Sequence, residues 1–72
     1  MNDAHARLHS FIVSHYSLEE FQTLCFALAV PYDDLLGKGL SGQARELILY
    51  MGRQERLADL ADQLKKDHPV LF

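Results

Sequence analysis

The stretch Ser17–Val30, SLEEFQTLCFALAV, decides how the chain folds. Leu18, Phe21, Leu24, Cys25 and Leu28 recur at steps of three and four, the spacing that lines one face of an α-helix. Ser17 and Glu20 make the S-x-x-E pattern of a capping box, in which the hydroxyl accepts from the backbone N–H three residues on and the carboxylate reaches back to the Ser17 N–H. Glu19 and Glu20 also complement the positive end of the helix dipole. Pro31 disfavours helical geometry at Val30, so this helix stops just before it. The segment advertises a packing face and a start signal, and little chemistry.

The flanking sequence repeats the pattern. From Asp3 to about Ser14, Ala4, Leu8, Phe11 and Ile12 fall on one helical face, with Asn2 or Asp3 as cap, and His15-Tyr16 breaks it. After the second helix, Pro31 suits the first turn of a short helix through about Leu36, and Gly37 and Gly39 make a turn. Ser41 is the next expected cap, for a helix from Gly42 to about Met51 that places Ala44, Leu47, Ile48 and Met51 on one face and stops at Gly52. A last helix is expected from about Gln54 to Lys66, with Leu57, Leu60, Ala61 and Leu64 inward and Lys65 and Lys66 at its negative end, before His68-Pro69 and an apolar VLF tail. No strand pattern and no internal repeat is visible, so five helices with short connections predict an all-α bundle.

Composition sets bounds on function. With 72 residues the chain has room for one domain. A chain this short buries only about 60% of its unfolded surface, so every apolar position matters. Hydrophobic residues at 49% and charged residues at 24% fit an ordinary globular domain. A net charge of −3 lacks the basic concentration of a nucleic-acid or anionic-membrane binder. One cysteine permits no internal disulfide, and the polar N-terminus has no signal-peptide pattern, so a cytoplasmic setting is expected. No apolar run approaches the length of a membrane span.

Catalytic and metal readings find little support. Cys25 falls on the packing face, where a thiol is inert. The serines lack a glycine-flanked elbow and read as caps or surface. His5 and His9 are spaced i, i+4 and could share a metal, but they flank the apolar face and read as solvent-facing, so no metal and no cofactor is expected. Asp33 and Asp34 are neighbours and point apart, which does not suit a catalytic pair. GKGLSG lacks the order and context of a phosphate loop and reads as a turn. An alternative is a small helical DNA-binding regulator reading bases through Gln43, Arg45 and Glu46, which the acidic balance disfavours. What remains is surface charge: Glu19, Glu20, Asp33 and Asp34 early in the chain, and Arg45, Arg53, Arg56, Lys65 and Lys66 later. A domain with one acidic and one basic region can associate head to tail with its own copies.

A longer pattern sharpens this. The chain carries Ser17-Leu18-Glu19-Glu20-Phe21, then Leu24-Cys25-Phe26-x-Leu28-x-Val30-x-Tyr32, Leu35, Gly37-Lys38-Gly39, Ala44-Arg45-Glu46-Leu47 and Arg56-Leu57-x-x-Leu60. In this order the motifs resemble the effector-associated, death-like domains of bacterial conflict systems, over about two thirds of the chain. More remotely the sequence is similar to the death effector domain of animal adaptors, with Arg53-Gln54-Glu55-Arg56-Leu57 where that domain opens its last helix on R-x-D-L; Glu55 stands in place of the aspartate and Arg56 in place of the leucine. The resemblance implies a compact antiparallel bundle of five to six helices, death-fold-like, with one helix abbreviated or absent. It implies a single module spanning residues 1–72 at the N-terminus of a longer protein. It further implies an adaptor, not an enzyme, that recruits a matching domain like-with-like or oligomerises in bacterial immunity and cell-death signalling. The interaction surface on this reading comprises Glu19, Glu20, Asp33, Asp34, Arg45, Arg53, Glu55 and Arg56, with no nucleic-acid or membrane partner.

Overall fold

The computed structural model describes residues 3–70. Four α-helices and one short turn follow in order: α1 (Asp3–His15), α2 (Leu18–Ala27), a three-residue 3₁₀ turn (Tyr32–Asp34), α3 (Gly39–Arg53) and α4 (Leu57–Asp67). There is no strand among the described residues. The all-helical class is as expected, but the count of five to six helices is not. The segment after Pro31 closes only one 3₁₀ turn, because three residues between extended Pro31 and Leu35 cannot meet the cost of nucleating an α-helix.

Helix α3 organises the packing. It is the one helix in extensive contact with each of the other three. Its inner stripe of Ala44, Leu47, Ile48 and Met51 meets Leu8 and Ile12 of α1, Phe21, Leu24 and Cys25 of α2, and Leu60 and Leu64 of α4 in one core. Ile12, Phe21, Cys25, Ala44, Leu47, Met51, Leu60 and Leu64 are fully buried, and no charged residue is buried among the described residues. The Cα radius of gyration, 10.9 Å, is close to the roughly 11 Å expected of a single compact body of this length. Leu18 and Ala4, expected inside, are both exposed. Each lies at the first turn of its helix, at the edge of the stripe, where the partner helices no longer cover it.

Helix directions follow from the contacts. The His9 ring donates from Nε2 to the Ser41 carbonyl at 2.9 Å, while His5 and Ala6 share a groove with Ile48 and Leu49, so α1 and α3 run antiparallel. Helices α2 and α4 also oppose one another, since Arg56 reaches the end of α2 and His68 shares a cleft with Glu20 at its start. Helices α1 and α4 instead run the same way: their first turns line one groove, and Tyr16, just past α1, donates from its hydroxyl to Asp67 Oδ2 at 2.7 Å at the far end of α4.

The expected start of α2 is confirmed in detail. Glu20 N–H donates to Ser17 Oγ at 3.1 Å and Ser17 N–H donates to Glu20 Oε1 at 2.8 Å. The stops differ from expectation. Helix α2 ends at Ala27, and Val30 N–H returns to the Cys25 carbonyl while Ala29 N–H returns to Phe26. Helix α3 runs past Gly52 to Arg53 and closes the same way, with Arg56 N–H on the Met51 carbonyl and Glu55 N–H on Gly52. Both are Schellman closures, and both place a side-chain-bearing residue in the left-handed region: Ala29 at φ +57° and Glu55 at φ +56°. This closure also delays α4 from Gln54 to Leu57. At its other end α3 starts at Gly39 and not after a Ser41 cap. Gly37 explains the tight entry: a Cβ there would lie 2.2 Å from the Gly42 carbonyl, so only glycine lets the loop lie on the helix. Gly39 itself takes φ +68°.

A left-handed L-residue costs about 1–2 kcal/mol, of which glycine's greater freedom in the unfolded chain returns about 0.5–1. Glu55→Gly and Ala29→Gly should therefore each stabilise the domain by about 0.5–1 kcal/mol, raising the thermal midpoint by several degrees. A lowered midpoint in both would contradict the closures described.

Candidate interaction surface

The charged residues proposed from sequence divide into two groups by what they already hold. Glu20 is committed to the α2 cap. Its carboxyl is held below its ordinary value of 4.5, first by the Ser17 backbone N–H, then by the Ser17 hydroxyl, with a smaller contribution from His68. Arg56 is a brace. Its Nη2 donates to the Leu28 carbonyl at 2.9 Å and its Nε to Asp59 Oδ2 at 3.1 Å, the one ion pair among the described residues. One guanidinium thus ties the end of α2 to the closure of α3 and the first turn of α4.

Glu19, Asp33, Asp34, Arg45, Arg53 and Glu55 are exposed and make no ion pair among the described residues. The acidic ones do not form one patch. Glu19 stands in the first turn of α2, whereas Asp33 and Asp34 lie beyond its last turn, and a ten-residue helix is about 15 Å long. On α3 the basic residues are better aligned. Arg45 and Arg53 flank Leu49 at steps of four, so all three lie along one exposed stripe about 12 Å long. Glu55 sits in the left-handed closure just past that stripe.

Sequence reading missed the apolar surface. Phe26 is 84% exposed, and Leu36 and Leu49 also face solvent. The periodicity carried the signal for Phe26: it lies opposite the Phe21–Leu24–Cys25 stripe, on the outer face of α2 with Glu19, Gln22 and Thr23. His5 and His9, read as solvent-facing, are half-buried walls of a groove between α1 and α3, with Ala6, Arg45, Ile48 and Leu49 completing it. No group of three or more His, Cys, Asp or Glu side chains comes together to hold a metal among the described residues.

At the opposite end, aromatic rings gather where α1 and α4 finish. His68 packs edge-on to Tyr16 and Phe11 at centroid distances of 5.1 and 5.5 Å, and His15 lies 4.6 Å from Phe11. Asp67 accepts from Tyr16 and, at 3.1 Å, from Gln63. Burial, and then the hydrogen bond to Asp67, hold the Tyr16 proton well above the usual phenol range. This knot fastens the end of the bundle. Cys25 is equally structural: desolvation pushes its thiol up to about 11, leaving it protonated at neutral pH. Of the three residues that would read DNA, Gln43 accepts from the Tyr32 hydroxyl at 2.9 Å and Glu46 is half-buried, which leaves Arg45 exposed.

Effector-associated domain 7 matches residues 8–69, which takes in α2, α3, α4, the later part of α1 and all the charged positions above, with His5 and Ala6 of the groove just before it. The chain belongs to the effector-associated domain 7 family. Neither curated proteins nor solved structures give a significant match. Family membership points to protein–protein contact in an adaptor role beside effectors, which suits a domain whose buried side chains all serve packing. No helix of the described residues is long and apolar enough to cross a membrane.

The brace and the surface arginines separate by mutation. Arg56→Ala should cost about 1–2 kcal/mol, since it removes a charged donor from a half-buried carbonyl and an ion pair. Arg53→Ala should change thermal stability by less than about 0.5 kcal/mol. Equal melting of the two variants would remove Arg56 from its bracing role.

Proposed function

We propose that this effector-associated domain is a death-like recruitment module of bacterial immunity or cell-death signalling. It brings effectors together by pairing with copies of itself or with a matching domain, works in the cytoplasm, and catalyses no reaction of its own. The family match over residues 8–69 carries the reading. The distribution of charge supports the homotypic form: acidic groups on α2 and the 3₁₀ turn, basic groups on α3, and no internal pairing between them among the described residues. Exposed charges of this kind add little affinity singly, but opposite charges that face one another across a contact steer encounter and select partners. Glu19, Asp33, Asp34, Arg45, Arg53 and Glu55 form the candidate contact set, with Glu20 and Arg56 at its margin because their charges are already engaged.

Light scattering behind size exclusion, from micromolar to near-millimolar protein, tests this directly. Mass should grow with concentration and fall back when salt is raised to about 1 M, where the screening length contracts to about 3 Å. The double variant Arg45→Glu, Arg53→Glu should shift growth to higher concentration while its melting is unchanged. A strict monomer throughout would overturn the homotypic form of the proposal.

A further inference from the structure

The most exposed large hydrophobic side chain on a helix, among the described residues, belongs to none of the charged positions above. Phe26 stands 84% exposed on the outer face of α2. It is two turns from Glu19, about 10.5 Å along the helix, so this face ends in a carboxylate at one end and a ring at the other. The groove between α1 and α3 has the complementary order. Its volume is about 460 Å³; Ala6, Ile48 and Leu49 give it a mainly apolar end with the His5 ring beside them, Arg45 stands between, and His9 and Ser41 close the polar end. From Leu49 to Ser41 is eight residues of α3, about 12 Å, which matches the α2 face in length. Leu49 is 42% exposed, so the apolar end of the groove is open to a ligand.

Resting on the homotypic reading above, we propose that Phe26 is the anchor of that contact and the α1–α3 groove of a second copy is its receptacle. The ring enters between Ala6, Ile48 and Leu49, and Glu19 lies toward Arg45 and the His9 end. Contacts of this size draw most of their affinity from a few buried aromatic anchors, while rim charges set orientation. Knob and groove lie on different elements of the same chain, and no residue of α2 lines the groove. Seated without a two-fold axis, the contact is heterologous: each copy that offers its knob keeps its groove open, and growth continues copy by copy until a ring closes, whereas reciprocal insertion would stop the unmodified domain at a dimer.

A mixing experiment decides it. Phe26→Glu destroys the knob and leaves the groove; Leu49→Glu destroys the groove and leaves the knob. Both positions are exposed, and unchanged circular-dichroism melting establishes that the variants fold. Each variant alone should remain monomeric at concentrations where the unmodified domain grows, its self-affinity reduced at least tenfold. Mixed in equal amounts they should form a dimer and stop there, because one intact knob meets one intact groove. Growth of the unmodified domain that neither variant weakens, or a mixture that stays monomeric, would overturn this contact while leaving homotypic association standing. A monomeric unmodified domain would remove both.

Discussion

The structure depends on the inner stripe of α3. Ala44, Leu47, Ile48 and Met51 are the surface against which α1, α2 and α4 all bury their own apolar faces. A chain of this length has no second core to fall back on, so the position of α3 fixes everything else. Its start is set by the close contact of Gly37 on Gly42, and its end by the closure through Glu55 and Arg56. The three outer helices touch one another less, which is why single polar ties matter at their ends. Arg56 joins α2 to α4 at one end of the bundle, and Tyr16 with Asp67 joins α1 to α4 at the other.

The same helix divides structure from function. Turning about half-way around α3 leads from Leu47 and Met51, fully buried, to Arg45, Leu49 and Arg53, all exposed. Helix α2 is built alike, with Phe21 and Leu24 inside and Glu19 and Phe26 outside. In each case the inward residues hold the fold and the outward ones are available to a partner. An interaction domain gains from this separation, because its outer residues can vary without loss of stability. Glu20 and Arg56 are the exceptions: their charges serve a cap and a brace, and their replacement would mix folding with binding.

Much of this was legible in the sequence, for physical reasons. The capping box at Ser17 and Glu20 depends on local spacing alone, and the core positions Leu24, Leu47, Ile48, Met51 and Leu60 follow from helical periodicity. What was not legible depended on tertiary packing. Gly52 looks like a stop, yet α3 continues because the closure forms where Met51 and Leu57 meet the core, and Glu55 accepts the left-handed strain. Ser41 looks like a cap, yet its carbonyl is drawn to His9 of α1, thirty-two residues away in sequence. The charge groups were found but not their engagement, since the Leu28 carbonyl that holds Arg56 is visible only once α2 has ended. Phe26 was not legible as a contact residue because periodicity places it outside the packing stripe but does not say what an exposed ring would meet.

On the contact proposed above, copies of the domain meet through the outer face of α2 and the groove between α1 and α3. Amide chemical shifts of the isotopically labelled domain, followed over a dilution series, test it residue by residue. Concentration-dependent shifts should concentrate at Glu19, Gln22, Thr23 and Phe26 on one side and at His5–His9 and Arg45–Leu49 on the other. Shifts centred instead on α4, or spectra that do not change with concentration, would contradict the account.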